Sequence, residues 1–63
     1  MNKIKRVRNL LGITVRELSE KSGVAISYIS TLENDETGLS NPSKDVMERI
    51  AKALNSNVPE IFF

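Results

Sequence analysis

Residues 14–34 read TVRELSEKSGVAISYISTLEN, and this stretch decides the fold. Thr14 and Glu17 have the T-x-x-E form of a capping box, in which the hydroxyl and the carboxylate each satisfy a free backbone N–H group of a first helical turn. Gly23 suits the left-handed conformation that commonly ends a helix. We therefore expect a helix that begins at Thr14 and ends at Gly23.

A second helix follows this one after a very tight turn. Ile29 and Leu32 recur at helical spacing and predict a helix from Ala25 to about Asn34, with Ala25 and part of Tyr28 also turned inward. The small Ser19 lets the two helices approach closely. This is the spacing of a helix-turn-helix unit over about residues 14–34. Purely structural helical bundles use the same hairpin, so the spacing alone leaves both uses open.

The residues before this unit predict a first amphipathic helix over residues 2–11, stopped by Gly12. Its apolar stripe consists of Ile4, Val7, Leu10 and Leu11.

After the unit, residues 34–42 have turn chemistry without a period and predict a loop. Ser43 as N-cap opens a fourth helix that closes at Asn55, and Asn57 with Glu60 predicts a short fifth helix. The inward positions of the fourth helix are Val46, Met47, Ile50, Ala51, Ala53 and Leu54. We expect an all-α fold in one compact five-helix domain over residues 1–63.

Composition excludes several classes of protein. The 63 residues include no cysteine and no histidine, so thiolate and imidazole metal ligands are absent, and so is the commonest general base. The Ser and Thr hydroxyls have no tuned base near them, and we expect neither an enzyme nor a metal or cofactor site. No apolar run is long enough for a membrane span or a secretory signal, which predicts a cytoplasmic protein.

Charge is unevenly distributed along the chain, although the formal net charge is only +1. Residues 1–23 carry six basic and two acidic side chains, whereas residues 24–43 carry three acidic side chains and no basic one. A basic first third is compatible with a solvated cationic helix face and with attraction to nucleic acid.

Several short stretches together resemble the Cro/CI-type, or XRE, family of bacterial and phage helix-turn-helix transcription regulators. The matching stretches are Val7-Arg8, Leu11 to Thr14, Glu17 to Val24, Ser27 to Ser30, Leu32 to Asn34, Asn41 to Ser43, Ile50 to Leu54 and Pro59 to Phe62. They follow the order of the family and cover nearly the whole chain. The resemblance implies a lambda-repressor-like fold whose third helix lies in the major groove of double-stranded DNA.

The resemblance also implies roles for individual residues. Base or groove contacts would come from Ala25, Ile26, Ser27, Tyr28 and Thr31. Phosphate contacts would come from Thr14, Val15, Arg16, Asn34, Asn41, Ser43 and Lys44. An ion pair between Arg8 and Glu33 would tie the first helix to the third and would be structural.

Three departures from the family pattern bear on DNA binding. Val15 stands where Gln is usual, which leaves its backbone N–H as the contact, and Ala25 replaces the usual Ser or Thr cap. The outward face of the third helix has no Arg, Lys, Asn or Gln for bidentate base pairing. Ile26 and Tyr28 also allow an alternative interpretation as half-buried packing residues.

The third loop suggests a second functional hypothesis. It is longer than the common family form and carries Asp35 and Glu36, which repel phosphate. The segment 35–41 is therefore a candidate protein-binding surface, as in an antitoxin-like or co-regulator module.

The family resemblance also bears on the oligomeric state. Family members typically bind as two-fold dimers, so we expect a weak homodimer or dimerisation on DNA. Candidate dimer residues are Ile61, Phe62 and Phe63, of which Ile61 and Phe62 also suit the core and Phe63 is the one expected to be exposed. The chain, bacterial or phage-encoded, is also compatible with a DNA-binding portion of a longer regulator.

Overall fold

The computed structural model describes residues 2–35 and 41–63. Within these ranges the chain forms five α-helices and no strand, which confirms the all-α expectation. The helices are α1 (Ile4–Leu11), α2 (Val15–Ser22), α3 (Ile26–Glu33), α4 (Lys44–Ala53) and α5 (Val58–Phe62). None of the described helices has the length and apolar character needed to cross a bilayer.

Side-chain caps start three of these helices where the sequence predicted them. The Thr14 hydroxyl accepts from Glu17 N–H and the Glu17 carboxylate accepts from Thr14 N–H, both at 3.0 Å, which completes the capping box. Asn57 and Glu60 form a second box at α5. Ser43 caps α4 by accepting from the backbone N–H of Val46.

Left-handed residues end the first, second and fourth helices. Gly12 and Gly23 adopt φ values of 71° and 74°, and the N–H of Gly23 donates to the carbonyl of Ser19. Asn55 follows the α4 C-cap with a φ of 55°, which confirms it as the residue that closes α4. The turn between α2 and α3 therefore consists of residues 23–25, with Gly23 in the left-handed conformation.

The apolar core lies where α2 packs on α3 and α4, and where α5 packs on α4 and α1. Its buried side chains are Ile4, Leu18, Val24, Ile29, Leu32, Ile50, Ala51, Leu54 and Ile61. Ser19 contributes a hydrogen bond across the α2–α3 turn, because its hydroxyl donates to the Val24 carbonyl at 2.6 Å. The core thus fixes α3 through its inner face and leaves the opposite face outside.

The first helix ends at Leu11 as predicted but starts two residues later than expected. It begins at Ile4 instead of residue 2, because Asn2 is used in bonds outside a helix: its side chain donates to the Leu32 carbonyl and accepts from Ile4 N–H. The Lys3 N–H donates to the carbonyl of Ile61 at 2.8 Å. These bonds hold the start of the chain against α3 and α5.

The predicted apolar stripe of α1 is wrong in its last turn. Leu10 is 78% exposed and Leu11 is 45% exposed. At 100° per residue, Leu10 lies about 120° around the helix from the buried Ile4 and so leaves the packed face. In this turn it is Arg8, not a leucine, that contacts α3.

Candidate nucleic-acid interface

The outward face of α3 is centred on Ser27 and Thr31, which are one helical turn apart and both exposed. Ile29 and Leu32 occupy the opposite side and are 0% and 1% exposed. Ser30 is half-buried between the two sides. The sequence therefore predicted the inner and outer faces of this helix correctly.

Two large side chains flank this centre. Ile26 is 45% exposed and Tyr28 is 36% exposed. Neither belongs to the core or to the apolar residues packed against it, so the alternative interpretation of both as core packing residues is not supported. Both side chains offer apolar surface beside Ser27.

The first turn of α3 has free backbone donors. Ala25 is its N-cap and makes no side-chain cap bond, while the Ala25 carbonyl accepts from the N–H groups of Tyr28 and Ile29. The prediction that Ala25 turns inward is wrong: it is exposed, because it precedes the first helical turn. The N–H groups of Ile26 and Ser27 have no capping partner among the described residues, and such groups bind negatively charged or acceptor atoms.

At the start of α2 the structure places Thr14 and Arg16 at the surface and Val15 against the core. The half-buried Val15 side chain is therefore a packing residue, and the backbone N–H is the hydrogen-bond donor that Val15 offers at this surface. The Thr14 hydroxyl oxygen accepts from Glu17, which leaves the hydroxyl proton for an outside acceptor. The capping residue Glu17 also places an acidic side chain at this helix start, beside the predicted phosphate contacts. The sequence prediction of phosphate binding did not take this acidic side chain into account.

The remaining predicted phosphate residues flank the segment that the structure leaves undescribed. Asn34 is the C-cap of α3 and is exposed. Asn41, Ser43 and Lys44 are exposed at the start of α4. Residues 36–40, and with them most of the predicted protein-binding segment 35–41, lie outside the described residues.

An ion pair links α1 to the end of α3, as the family resemblance implied. Arg8 Nε lies 2.9 Å from Glu33 Oε2 and Nη2 lies 3.0 Å from Oε1, and the two side chains are only 12% and 6% exposed. The hydrogen bond to Glu33 raises the pKa of Arg8, burial opposes this, and the charge of Glu33 adds to the rise. Arg8 therefore stays charged and positions α3 without offering its charge to a ligand.

The three candidate dimer residues separate by burial. Ile61 is 0% exposed and its side chain belongs to the core, the use that its sequence position also allowed, so it offers no surface for a dimer contact. Phe62 is half-buried against that core. Phe63 is 82% exposed, as expected, and is the member of this set with a free apolar surface.

Comparison with known proteins agrees with this arrangement. A family model described as helix-turn-helix matches residues 4–61 and so includes α1 to α4 and all but the last residue of α5. The chain belongs to the XRE family of helix-turn-helix proteins. This XRE membership confirms the resemblance read from the sequence motifs.

Two kinds of curated relative illustrate the XRE match. An uncharacterized HTH-type transcriptional regulator of Mycobacterium tuberculosis is 37% identical over 59 residues, which cover 94% of this chain and 40% of the relative. The HTH-type transcriptional regulator SinR of Bacillus subtilis is 38% identical over 56 residues, covering 89% of this chain and 49% of SinR. The chain thus spans less than half the length of these relatives. No solved structure matches it significantly.

Proposed function

We propose that this chain binds double-stranded DNA in a sequence-specific manner as a transcriptional regulator, with α3 in the major groove. The observation that carries the proposal is the exposed outer face of α3, centred on Ser27 and Thr31, on a helix whose inner face is locked in the core. An α-helix fits the major groove, where each base pair presents a distinct pattern of donors, acceptors and methyl groups. A rigid backbone behind the face is what such readout requires.

Two helix starts support the proposed phosphate contacts. The first turns of α2 and α4 present Thr14 and Ser43 hydroxyls together with backbone N–H groups, and Arg16 and Lys44 are exposed beside them. Helix N-termini attract phosphate through free amides and the helix dipole. This mode of binding suits a chain whose formal net charge is only +1.

We further propose that the chain is one DNA-binding domain that acts in the cytoplasm as a two-fold dimer and represses transcription by occupying its site. One α3 reads only a half-site, and two copies on half-sites about 34 Å apart double the contacted sequence. The exposed Phe63 is a candidate contact between copies. No catalytic role is proposed, since the sequence has neither histidine nor cysteine.

Selection of bound sequences from a pool of random duplexes tests the proposal directly. We expect enrichment of one motif, arranged as an inverted repeat if the dimer is correct. Replacement of Thr31 with alanine should change the enriched motif, whereas replacement of Lys44 with alanine should weaken all duplexes alike. Recovery of unenriched, random sequences would rule out specific DNA binding.

Repression needs a separate measurement in cells. A reporter promoter that carries the enriched motif between its core elements should lose expression when the chain is produced. A rise in expression would instead identify an activator.

A further inference from the structure

We infer that α3 recognises thymine by its methyl group, with Ile26 and Thr31 as the specificity-determining residues. This inference rests on the proposed function, because it requires α3 to lie in the major groove. It adds the chemical class of base that the helix selects.

The third helix lacks the side chains that make bidentate contacts with bases. Ile26–Glu33 reads ISYISTLE and contains no Arg, Lys, Asn or Gln. Those four residue types form the bidentate pairs that identify guanine and adenine in the major groove. Glu33, the charged residue of this helix, is occupied by Arg8. Bidentate readout from α3 is therefore excluded.

Thr31 lies exposed at the centre of the outer face of α3. Its hydroxyl donates to the carbonyl of Ser27 at 3.0 Å, within its own helix. The single proton of this hydroxyl is thus used, and the γ-methyl group is the other branch of the side chain. Thr31 therefore meets a ligand with a methyl group and an acceptor oxygen instead of a donor.

Ile26, the first residue of α3, is exposed. An isoleucine that is 45% exposed keeps apolar surface in contact with water. Covering this surface with another apolar group lowers the free energy of the complex. Among the base edges of the major groove, the apolar group is the C5-methyl of thymine.

The other polar side chains of this face discriminate poorly between bases. Ser27 and Tyr28 are exposed and each carries a hydroxyl. A hydroxyl both donates and accepts, so it pairs with any base edge by rotating its proton. Discrimination between bases then falls to the methyl contacts of Ile26 and Thr31.

The test removes thymine methyl groups without changing a hydrogen bond. In the duplex enriched from the random pool, each thymine is replaced in turn by deoxyuridine, and the affinity of the full chain is measured by fluorescence anisotropy. We expect at least one position in each half-site where binding weakens about fourfold, the fold-change that corresponds to one buried methylene group.

Matched variants assign the lost contact to a residue. Thr31→Val keeps a methyl branch and removes the hydroxyl, whereas Thr31→Ser keeps the hydroxyl and removes the methyl. We expect T31V to retain the penalty for deoxyuridine and T31S to lose it at one position. Ile26→Ala should lose the penalty at a different position. Circular dichroism of each variant shows whether the fold is retained, and the penalty is compared only among folded variants.

The outcomes separate this inference from the proposed function. Absence of any enriched duplex overturns sequence-specific binding and the inference with it. An enriched duplex that binds equally well with deoxyuridine at every position overturns the inference alone. A penalty that survives undiminished in both T31S and I26A also overturns it, since another group would then contact the thymine methyl.

Discussion

Arg8 and Glu33 form a two-pronged ion pair that joins the first and third helices. Arg8 Nε and Nη2 donate to the two carboxylate oxygens at 2.9 and 3.0 Å, and Nη1 donates to the carbonyl of Ile13 at 3.0 Å. One guanidinium thus connects α1, the α1–α2 connection and the end of α3. The orientation of the proposed reading helix depends on this group.

Replacement of Glu33 with glutamine should destabilise the chain strongly, because Arg8 would remain as a largely buried charge without its partner. Breaking one side of a buried pair costs about 3–5 kcal/mol. The whole free energy of unfolding of a chain this size is about 3–9 kcal/mol at 0.05–0.15 kcal/mol per residue. Urea unfolding followed by circular dichroism should show E33Q partly or fully unfolded in buffer.

The exposed ion pair of α4 provides the control. Arg49 Nε lies 2.9 Å from Asp45 Oδ2, and these side chains are 55% and 71% exposed. Replacement of Asp45 with asparagine should change the free energy of unfolding by no more than about 1 kcal/mol. A similar small effect from E33Q would show that the Arg8–Glu33 pair does not hold α3.

Replacement of Glu17 with glutamine should strengthen binding to every duplex. Glutamine retains the capping box with Thr14 and removes a negative charge from the proposed phosphate contact. The gain should be about fivefold at low salt, which corresponds to the ~1 kcal/mol between unit charges 4 Å apart in water. Unchanged or weaker binding by folded E17Q would place the start of α2 away from the phosphates.

Replacement of Gly12 or Gly23 with alanine should destabilise the chain to a similar degree, about 1–2 kcal/mol, because both glycines are in the left-handed region. A side chain at Gly12 would meet no atom within 4 Å, and one at Gly23 would lie 3.4 Å from Arg49 Nη1, an ordinary contact. Thermal unfolding of the two variants should therefore give nearly equal losses. A much larger loss for G23A would indicate crowding at the α2–α3 turn.

The salt dependence of DNA binding should be shallow. Arg16 and Lys44 are the cations among the proposed phosphate residues, which predicts a slope of log affinity against log salt of about −2 per copy. Replacement of Lys44 with alanine should reduce the slope by about 1. Lys52, exposed on α4 outside this set, is the matched control, and K52A should leave the slope unchanged.

Phe63 and Phe62 should respond differently to replacement with alanine. F63A should leave the free energy of unfolding within about 0.5 kcal/mol and reduce self-association in sedimentation experiments, because its side chain is exposed. F62A should lower stability, because Phe62 packs on the core. Self-association that is unaffected by F63A would exclude Phe63 as the dimer contact.

The five helices and most of their ends could be predicted from local sequence signals. Local signals act within one turn of chain: Thr14 with Glu17, Asn57 with Glu60, and glycine where a left-handed residue is needed. The order of motifs was also sufficient to identify the family. These features could be predicted because each depends on residues close together in the chain.

Which side chains of these helices are free to contact a ligand depends on the packing of the folded chain. Leu11 lies within about 20° of the buried Ile4 around α1 yet is 45% exposed, and Val15, at a proposed DNA-contact position, packs on the core. The hydroxyl of Thr31 is already used by Ser27. Burial and hydrogen bonding depend on which helices pack together, because a helical period places a residue on a face but does not say how far the neighbouring helix extends over it.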